Sequence, residues 1–203
     1  MKTIRDVRRR AVAESFVLAA EKVFGEKGYE NTHMQDVAEE AGCAIGTLYL
    51  YFKSKDDFYS AMVTRHTNAI AEMLTVAFEQ GKDPLDKLRR KTEAILSYFN
   101  DHKTFFRLFY TASPGGRAYV RSNLRDDALE SYLDFKRKEE AVVRKGQAEG
   151  QFRDDISAAE LVEFIHGVTI STLARWSAED GETDPGEQLR LLWAFLYGGL
   201  GAR

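Results

Sequence analysis

Little in this chain of 203 residues can cross-link, coordinate or catalyse. It has one cysteine, Cys43, so no internal disulfide forms and nothing requires an oxidising compartment. The four histidines (His33, His66, His102 and His166) are scattered without metal-ligand spacing, and no paired-cysteine, HExxH, GxSxG, P-loop or GxGxxG pattern occurs. The glycine cluster YGGLG (197–201) follows a helical pattern rather than a strand, so it does not make a dinucleotide turn. Enzyme activity, metals and nucleotide cofactors are therefore not expected. Only three prolines interrupt the chain and no segment alternates apolar and polar residues cleanly, which points to an all-α fold. No signal peptide opens the chain, and its most apolar run, LLWAFLYGGL (191–200), is too short to span a bilayer. A cytoplasmic protein with no membrane partner is expected.

What is present is concentrated at residues 34–55, MQDVAEEAGCAIGTLYLYFKSK, which read as two short helices joined by a tight turn. Met34, Val37, Ala38 and Ala41 share one face of the first helix; Ile45, Leu48 and Phe52 share one face of the second. Gly42 stands where a helix ends on a residue tolerating positive φ, and Gly46 would let the second helix start close to another backbone, of the first helix or of DNA. Thr47, Tyr49, Leu50, Tyr51 and Lys53 remain outward, a face suited to phosphates and base edges. Three capping boxes agree with this periodicity: Thr32 with Gln35, Ser54 with Asp57, and Ser157 with Glu160. The formal net charge of −3 is unusual for a protein that grips a polyanion, but its distribution is uneven. Lys2, Arg5, Arg8, Arg9 and Arg10 against Asp6 give the first ten residues +4, leaving −7 for the rest. This basic arm is either a contact to phosphates or the minor groove, or a solvated tail.

Residues 16–58 resemble the N-terminal domain of the TetR (tetracycline-repressor) family of bacterial transcription regulators. The likeness runs through FVLAAEKVFGEKGYENT (16–32), where Ala19, Ala20, Phe24, Gly28, Tyr29 and Thr32 fall at the family's positions, then VAEEAG (37–42) and GTLYLYFKSKDDF (46–58). It implies a homodimer, a three-helix DNA-binding domain, and a C-terminal helical domain that binds a small effector and dimerises. Matched position by position, Thr32, Tyr49, Tyr51 and Lys55 fall where the family contacts phosphates. Ala44, Ile45, Gly46, Thr47 and Leu50 fall at the turn end and on the recognition helix. Two neighbours depart from the pattern: Ala44 stands where a capping serine is frequent, and Cys43 where an aliphatic residue is common.

Breaks in helical pattern then divide the chain. A first helix runs from about Arg8 to Lys27, and Ser54 caps a long fourth helix reaching about Gln80. Asp83 and Pro84 open a fifth, ending near Asn100 and followed by the aromatic KTFFRLFYT (103–111) and the SPGGR loop (113–117). A further helix spans about Tyr119 to Glu149. Ser157 opens the next, the acidic AEDGETD (178–184) closes it, and Pro185 begins the last. The count is nine helices, with a DNA-binding domain at 1–54 and an effector-binding and dimerisation domain at 55–203. The second domain is rich in aromatics, which is compatible with an apolar pocket. Phe105, Phe109, Tyr132, Phe135, His166 and Thr169 are its candidate lining, although aromatic stripes are more often core and His166 a satisfied core histidine. Leu161, Ile165, Val168, Leu189, Leu192, Trp193 and Leu196 recur at helical spacing on the last two helices and are the candidate dimer interface.

The favoured reading is a dimeric repressor released from a palindromic duplex operator by a small, largely apolar effector. Two others stay open: a small-molecule-binding protein with lost or altered DNA binding, and a redox-responsive regulator acting through Cys43.

Overall fold

The computed structural model describes residues 3–111, 126–178 and 185–201. Among them are nine helices and no strand, with one isolated bridge between Phe152 and Gly201. The helices are α1 (Ile4–Lys27), α2 (Met34–Glu40), α3 (Ile45–Tyr49), α4 (Lys55–Gln80), α5 (Pro84–Asp101), α6 (Lys103–Thr111), α7 (Asp126–Ala148), α8 (Ala158–Ala178) and α9 (Pro185–Leu200). The SPGGR loop, the expected helix start near Tyr119 and most of the acidic loop lie outside the described residues.

Helix starts follow local side-chain chemistry, with two corrections to the expected positions. α1 begins at Ile4 rather than near Arg8, because Thr3 and Asp6 form a full capping box: the Thr3 N–H donates to the Asp6 carboxylate at 3.0 Å and Asp6 N–H donates to the Thr3 hydroxyl. At α2 the reciprocal pair is His33 and Asp36 rather than Thr32 and Gln35, with the His33 N–H donating to Asp36 at 2.7 Å. Ser54 accepts the Asp57 N–H at α4, while the Asp57 carboxylate accepts from Lys53, one residue earlier than a reciprocal box requires. Ser157 and Glu160 close the box expected at α8, and Asp83 caps α5 with Pro84 at its first turn.

The chain forms two compact units. The first holds residues 3–66 with 104–111, and the second holds 67–103, 126–178 and 185–201. The division differs from a boundary at 54/55. α4 contributes Phe58, Tyr59, Met62 and Val63 to the buried interior of the first unit before continuing into the second, and Phe58 stacks on Phe52 with centroids 4.1 Å apart. α6, expected in the effector domain, belongs almost wholly to the first unit. A Cβ at Gly25 of α1 would lie 2.6 Å from the Thr104 methyl, so the missing side chain is what admits α6 there. Phe105 stacks on the buried His66 ring at 3.8 Å, and the Glu21 carboxylate bonds both His66 and Arg65. Burial pushes the Glu21 carboxyl up, but His66 and Arg65 outweigh it and hold the group below the ordinary carboxylate range. The rest of this core includes Phe16, Ala20, Val23 and Phe24 from α1, Val37 and Ala38 from α2, and Leu48 from α3.

In the second unit α5, α7, α8 and α9 pack against one another around Leu88, Leu96, Phe99, Phe135, Val143, Val162 and Leu173. This packing covers part of the expected dimer face. Leu161, Ile165, Leu192 and Leu196 are buried inside the subunit, while Val168, Leu189 and Trp193 are half-buried. Periodicity found a genuine apolar stripe but could not say which protein covers it. Among the described residues, the large apolar side chains left open on the same two helices are Phe164 (57%), Leu191 (45%), Phe195 (66%) and Tyr197 (62%).

Candidate nucleic-acid interface

The turn between α2 and α3 is set by backbone. Gly42 takes φ 63° and donates its N–H to the Glu39 carbonyl, and the Cys43 N–H donates to Ala38 at 3.0 Å. Ala44 is the residue before α3 and offers no side-chain cap, so Thr47 N–H turns back to the Ala44 carbonyl at 2.8 Å. α3 is pinned by one fully buried residue, Leu48, and the remainder of its first turns face out. Ala44, Gly46 and Thr47 are exposed, as are Ile45 (36%), Tyr49 (49%) and Leu50 (72%). Ile45 therefore leaves the core stripe assigned from periodicity and joins the outward face. No described atom lies within 4 Å of a Cβ built on Gly46, so this glycine does not serve close packing within its own chain.

Three of the expected contact residues are more constrained than their sequence positions suggest. Thr32 is buried and its hydroxyl donates to the Gly28 carbonyl at 2.8 Å, so in this conformation it locks the α1–α2 connection. Tyr51 is half-buried, edge-on to Phe16 at 5.3 Å, with the Arg9 guanidinium 5.6 Å over its ring. Lys55 is not a plain solvated lysine. Its ammonium donates to the carbonyls of Tyr29 and Glu30, both at 3.1 Å, and sits 4.6 Å over the Tyr29 ring. One of its three N–H groups remains for a phosphate. Lys55→Ala should therefore lower the slope of log affinity against log salt by about 0.9 for each phosphate it no longer neutralises, while Thr47→Ala shifts sequence preference more than affinity. A Lys55→Ala protein with the wild-type slope would show that the ammonium only braces the turn.

The candidate effector residues are divided. Phe105 and Phe109 are buried in the first unit with centroids 5.4 Å apart, whereas Tyr132, Phe135, His166 and Thr169 belong to the second. The Thr169 hydroxyl is buried and donates to the Ile165 carbonyl. Phe135 borders a cavity of about 340 Å³ whose other walls are largely polar: Asn68, Glu72 and Thr75 from α4, and Asp134 and Lys138 from α7.

His166 leads to a group that sequence reading missed. Its Nε2 lies 2.6 Å from Glu139, whose other carboxylate oxygen accepts from the Lys91 ammonium, so three helices meet at a buried charge cluster. Burial would raise the Glu139 carboxyl, but the charges of Lys91 and His166 hold it at about 2. Burial and the neighbouring Lys91 ammonium push His166 down against the pull of Glu139, so its ring takes a proton less readily than an ordinary histidine. The signal was present: Lys91 falls three residues after Leu88, and Glu139 four after Phe135 and four before Val143, each inside an apolar stripe.

Among the described residues no group of histidine, cysteine or carboxylate side chains could hold a metal ion, and no described helix is long and apolar enough to cross a membrane. Residues 16–62 match the model of "Bacterial regulatory proteins, tetR family", and residues 84–176 match "Tetracyclin repressor-like, C-terminal domain". The transcriptional activator FasR of Mycolicibacterium smegmatis is 29% identical over 106 residues, 52% of this chain and 47% of FasR, so the chain matches about half of that relative's length. The fatty acid degradation regulator FadR of Bacillus halodurans superposes with a TM-score of 0.80 at 20% identity, covering 95% of this chain and 97% of its own. FadR of Bacillus subtilis in complex with stearoyl-CoA gives 0.78 at 20% identity, over 92% and 98%. With one model on the helix-turn-helix unit and the other spanning α5 to α8, together covering well over half of the residues, the chain belongs to the TetR family of bacterial transcription regulators.

Proposed function

We propose that this regulator is a homodimeric repressor that reads a palindromic operator with α3 of each subunit and leaves it when a small effector binds the second unit. The observation that carries the DNA reading is the outward face of α3, where Ile45, Thr47, Tyr49 and Leu50 are exposed around a single buried anchor, Leu48. Two-fold pairing of subunits demands a two-fold DNA site, with half-sites about one helical turn apart, roughly 34–36 Å. Repression is the proposed sign, although FasR is named an activator.

For the effector we propose a ligand with a long apolar chain, an acyl thioester being the first to test. Support comes from the aromatic content of the chain and from the likeness in fold to the stearoyl-CoA complex. The polar cavity beside Phe135 is not its source. α4, which runs through both units, and α6, which packs on α1 and α4 in the first, are the segments proposed to carry the change. Neither open alternative gains support: Ala44 leaves α3 intact, and Cys43 is half-buried in a packed turn.

The test is reciprocal. An effector that prefers the DNA-incompetent state a hundredfold weakens operator binding by at most about 2.7 kcal/mol, and must itself bind the operator complex less tightly by the same factor. Stearoyl-CoA affinity is measured by calorimetry with and without a duplex from the region upstream of the regulator's own gene. Equal affinities would separate the ligand from control of DNA.

A further inference from the structure

We infer that the first three turns of α1 are a second DNA-contacting element, in which Arg5, Arg8 and Arg9 bind backbone phosphates beside the groove read by α3. This rests on the DNA-binding reading above and deepens it. Residues 4–15 precede Phe16, the first buried residue of α1, and all but Ala13 are exposed, so the helix projects about 18 Å past the core. An isolated stretch this short frays in water. Here it is held at one end by the Thr3–Asp6 capping box and in its second turn by Arg9 over Tyr51. Tyr51 follows α3 by two residues, which puts the basic turns alongside the recognition helix rather than on a loose arm.

Charge pairing separates these arginines from four of the other cations of residues 3–66. Lys22, Lys27, Lys55 and Arg65 each lie near a carboxylate, of Glu40, Asp36, Glu30 and Glu21 respectively. Among the described residues, Arg5, Arg8, Arg9, Arg10 and Lys53 have none within 4.0 Å. Arg5 stands one turn before Arg9 on the face that meets Tyr51, with Arg8 beside it. Val7, exposed at 57% on the far side of the helix, cannot bind phosphate. Guanidinium groups with no described carboxylate within 4.0 Å, on a helix that meets Tyr51 beside the recognition helix, match phosphates in sign.

The experiment measures binding to a duplex from the region upstream of its own gene, and to a scrambled duplex, from low to high salt. R5Q/R8Q/R9Q should lower the salt slope by about 0.9 for each phosphate no longer neutralised, counted twice in a dimer, on both duplexes. R5Q/R8Q leaves the Arg9–Tyr51 contact in place and should still lower the slope, which separates phosphate binding from anchoring of the helix. Lys22→Gln, which removes a paired cation, should leave it unchanged. A wild-type slope in both arginine variants, or an equal fall with Lys22→Gln, overturns the inference. So does wild-type binding to phosphatidylglycerol vesicles that the triple variant loses while its DNA slope is unaltered, since the surface would then face a membrane. Failure of the wild-type chain to bind either duplex would instead overturn the regulator reading itself.

Discussion

Glu139→Gln is expected to lower the thermal midpoint by on the order of 10 °C, the largest stability effect of a single polar substitution here. The side chain is fully buried between Lys91 and His166, and removing its charge leaves the Lys91 ammonium, itself 1% exposed, without a counter-ion. Breaking a buried ion pair from one side costs about 3–5 kcal/mol, and a chain of this size loses roughly 2–4 °C per kcal/mol. Replacing both partners with apolar groups, Lys91→Met with Glu139→Leu, should recover most of that loss, because the pair's attraction is offset by its own desolvation. A double variant no better than the single would mean that the cluster is held by geometry beyond the pair.

The same cluster gives the second unit a direction of pH dependence. Glu139 ionises far below its ordinary 4.5, so its contribution is complete above 4.5 and drains as pH falls towards about 2. His166 is held below its ordinary 6.5, so the folded state resists a proton that the unfolded chain accepts, and this contribution is lost as pH falls below 6.5. Both act in the same sense: stability should decline continuously from pH 7 towards 4. In His166→Gln the part of the decline just below 6.5 should shrink, as followed by calorimetry across that range. An unchanged profile would show that His166 is not its source.

Phe195→Glu is expected to dissociate the dimer, whereas Leu196→Glu should unfold the subunit. The two neighbours differ in what covers them. Leu196 is 5% exposed within its own chain, so a carboxylate there is buried without a partner, while Phe195 is 66% exposed and costs the isolated subunit little when replaced. An aromatic anchor near the centre of an interface contributes about 2 kcal/mol or more, and two-fold symmetry counts it twice, so the dimer should weaken by roughly a thousandfold. Light scattering together with circular dichroism decides. A folded Phe195→Glu protein that remains dimeric at low micromolar concentration would move the interface away from the Phe164, Leu191 and Phe195 side of α8 and α9. Loss of operator binding should accompany dissociation, because in the proposed mode each subunit reads one half-site.

Much of the fold was legible in the sequence because its signals are local. The 3.6-residue spacing of Phe16, Ala20, Val23 and Phe24, the Ser157–Glu160 box, and Asp83 before Pro84 act within a few residues of backbone, and each stands where expected. The helix-turn-helix was legible for the same reason: Gly42 and Leu48 define it without distant partners. Local signals failed where two acceptors competed nearby, as when the carboxylate of Asp36 rather than the amide oxygen of Gln35 reached back to cap α2.

Tertiary structure alone decided everything that depends on which surface covers which. An apolar stripe at helical spacing reads the same whether its cover is the next helix or a second subunit, so Leu161, Ile165, Leu192 and Leu196 could not be told from an interface until their own chain was seen to bury them. Composition likewise cannot assign α6 to a unit. That assignment depends on Gly25 leaving room for Thr104 and on His66 offering a ring to Phe105, pairs 79 and 39 positions apart in the sequence. A charge in an apolar stripe, such as Lys91 or Glu139, is by itself a flaw in the pattern. It becomes a cluster only when three helices bring lysine, glutamate and histidine within hydrogen-bond reach in a medium where an unpaired charge is too costly to keep.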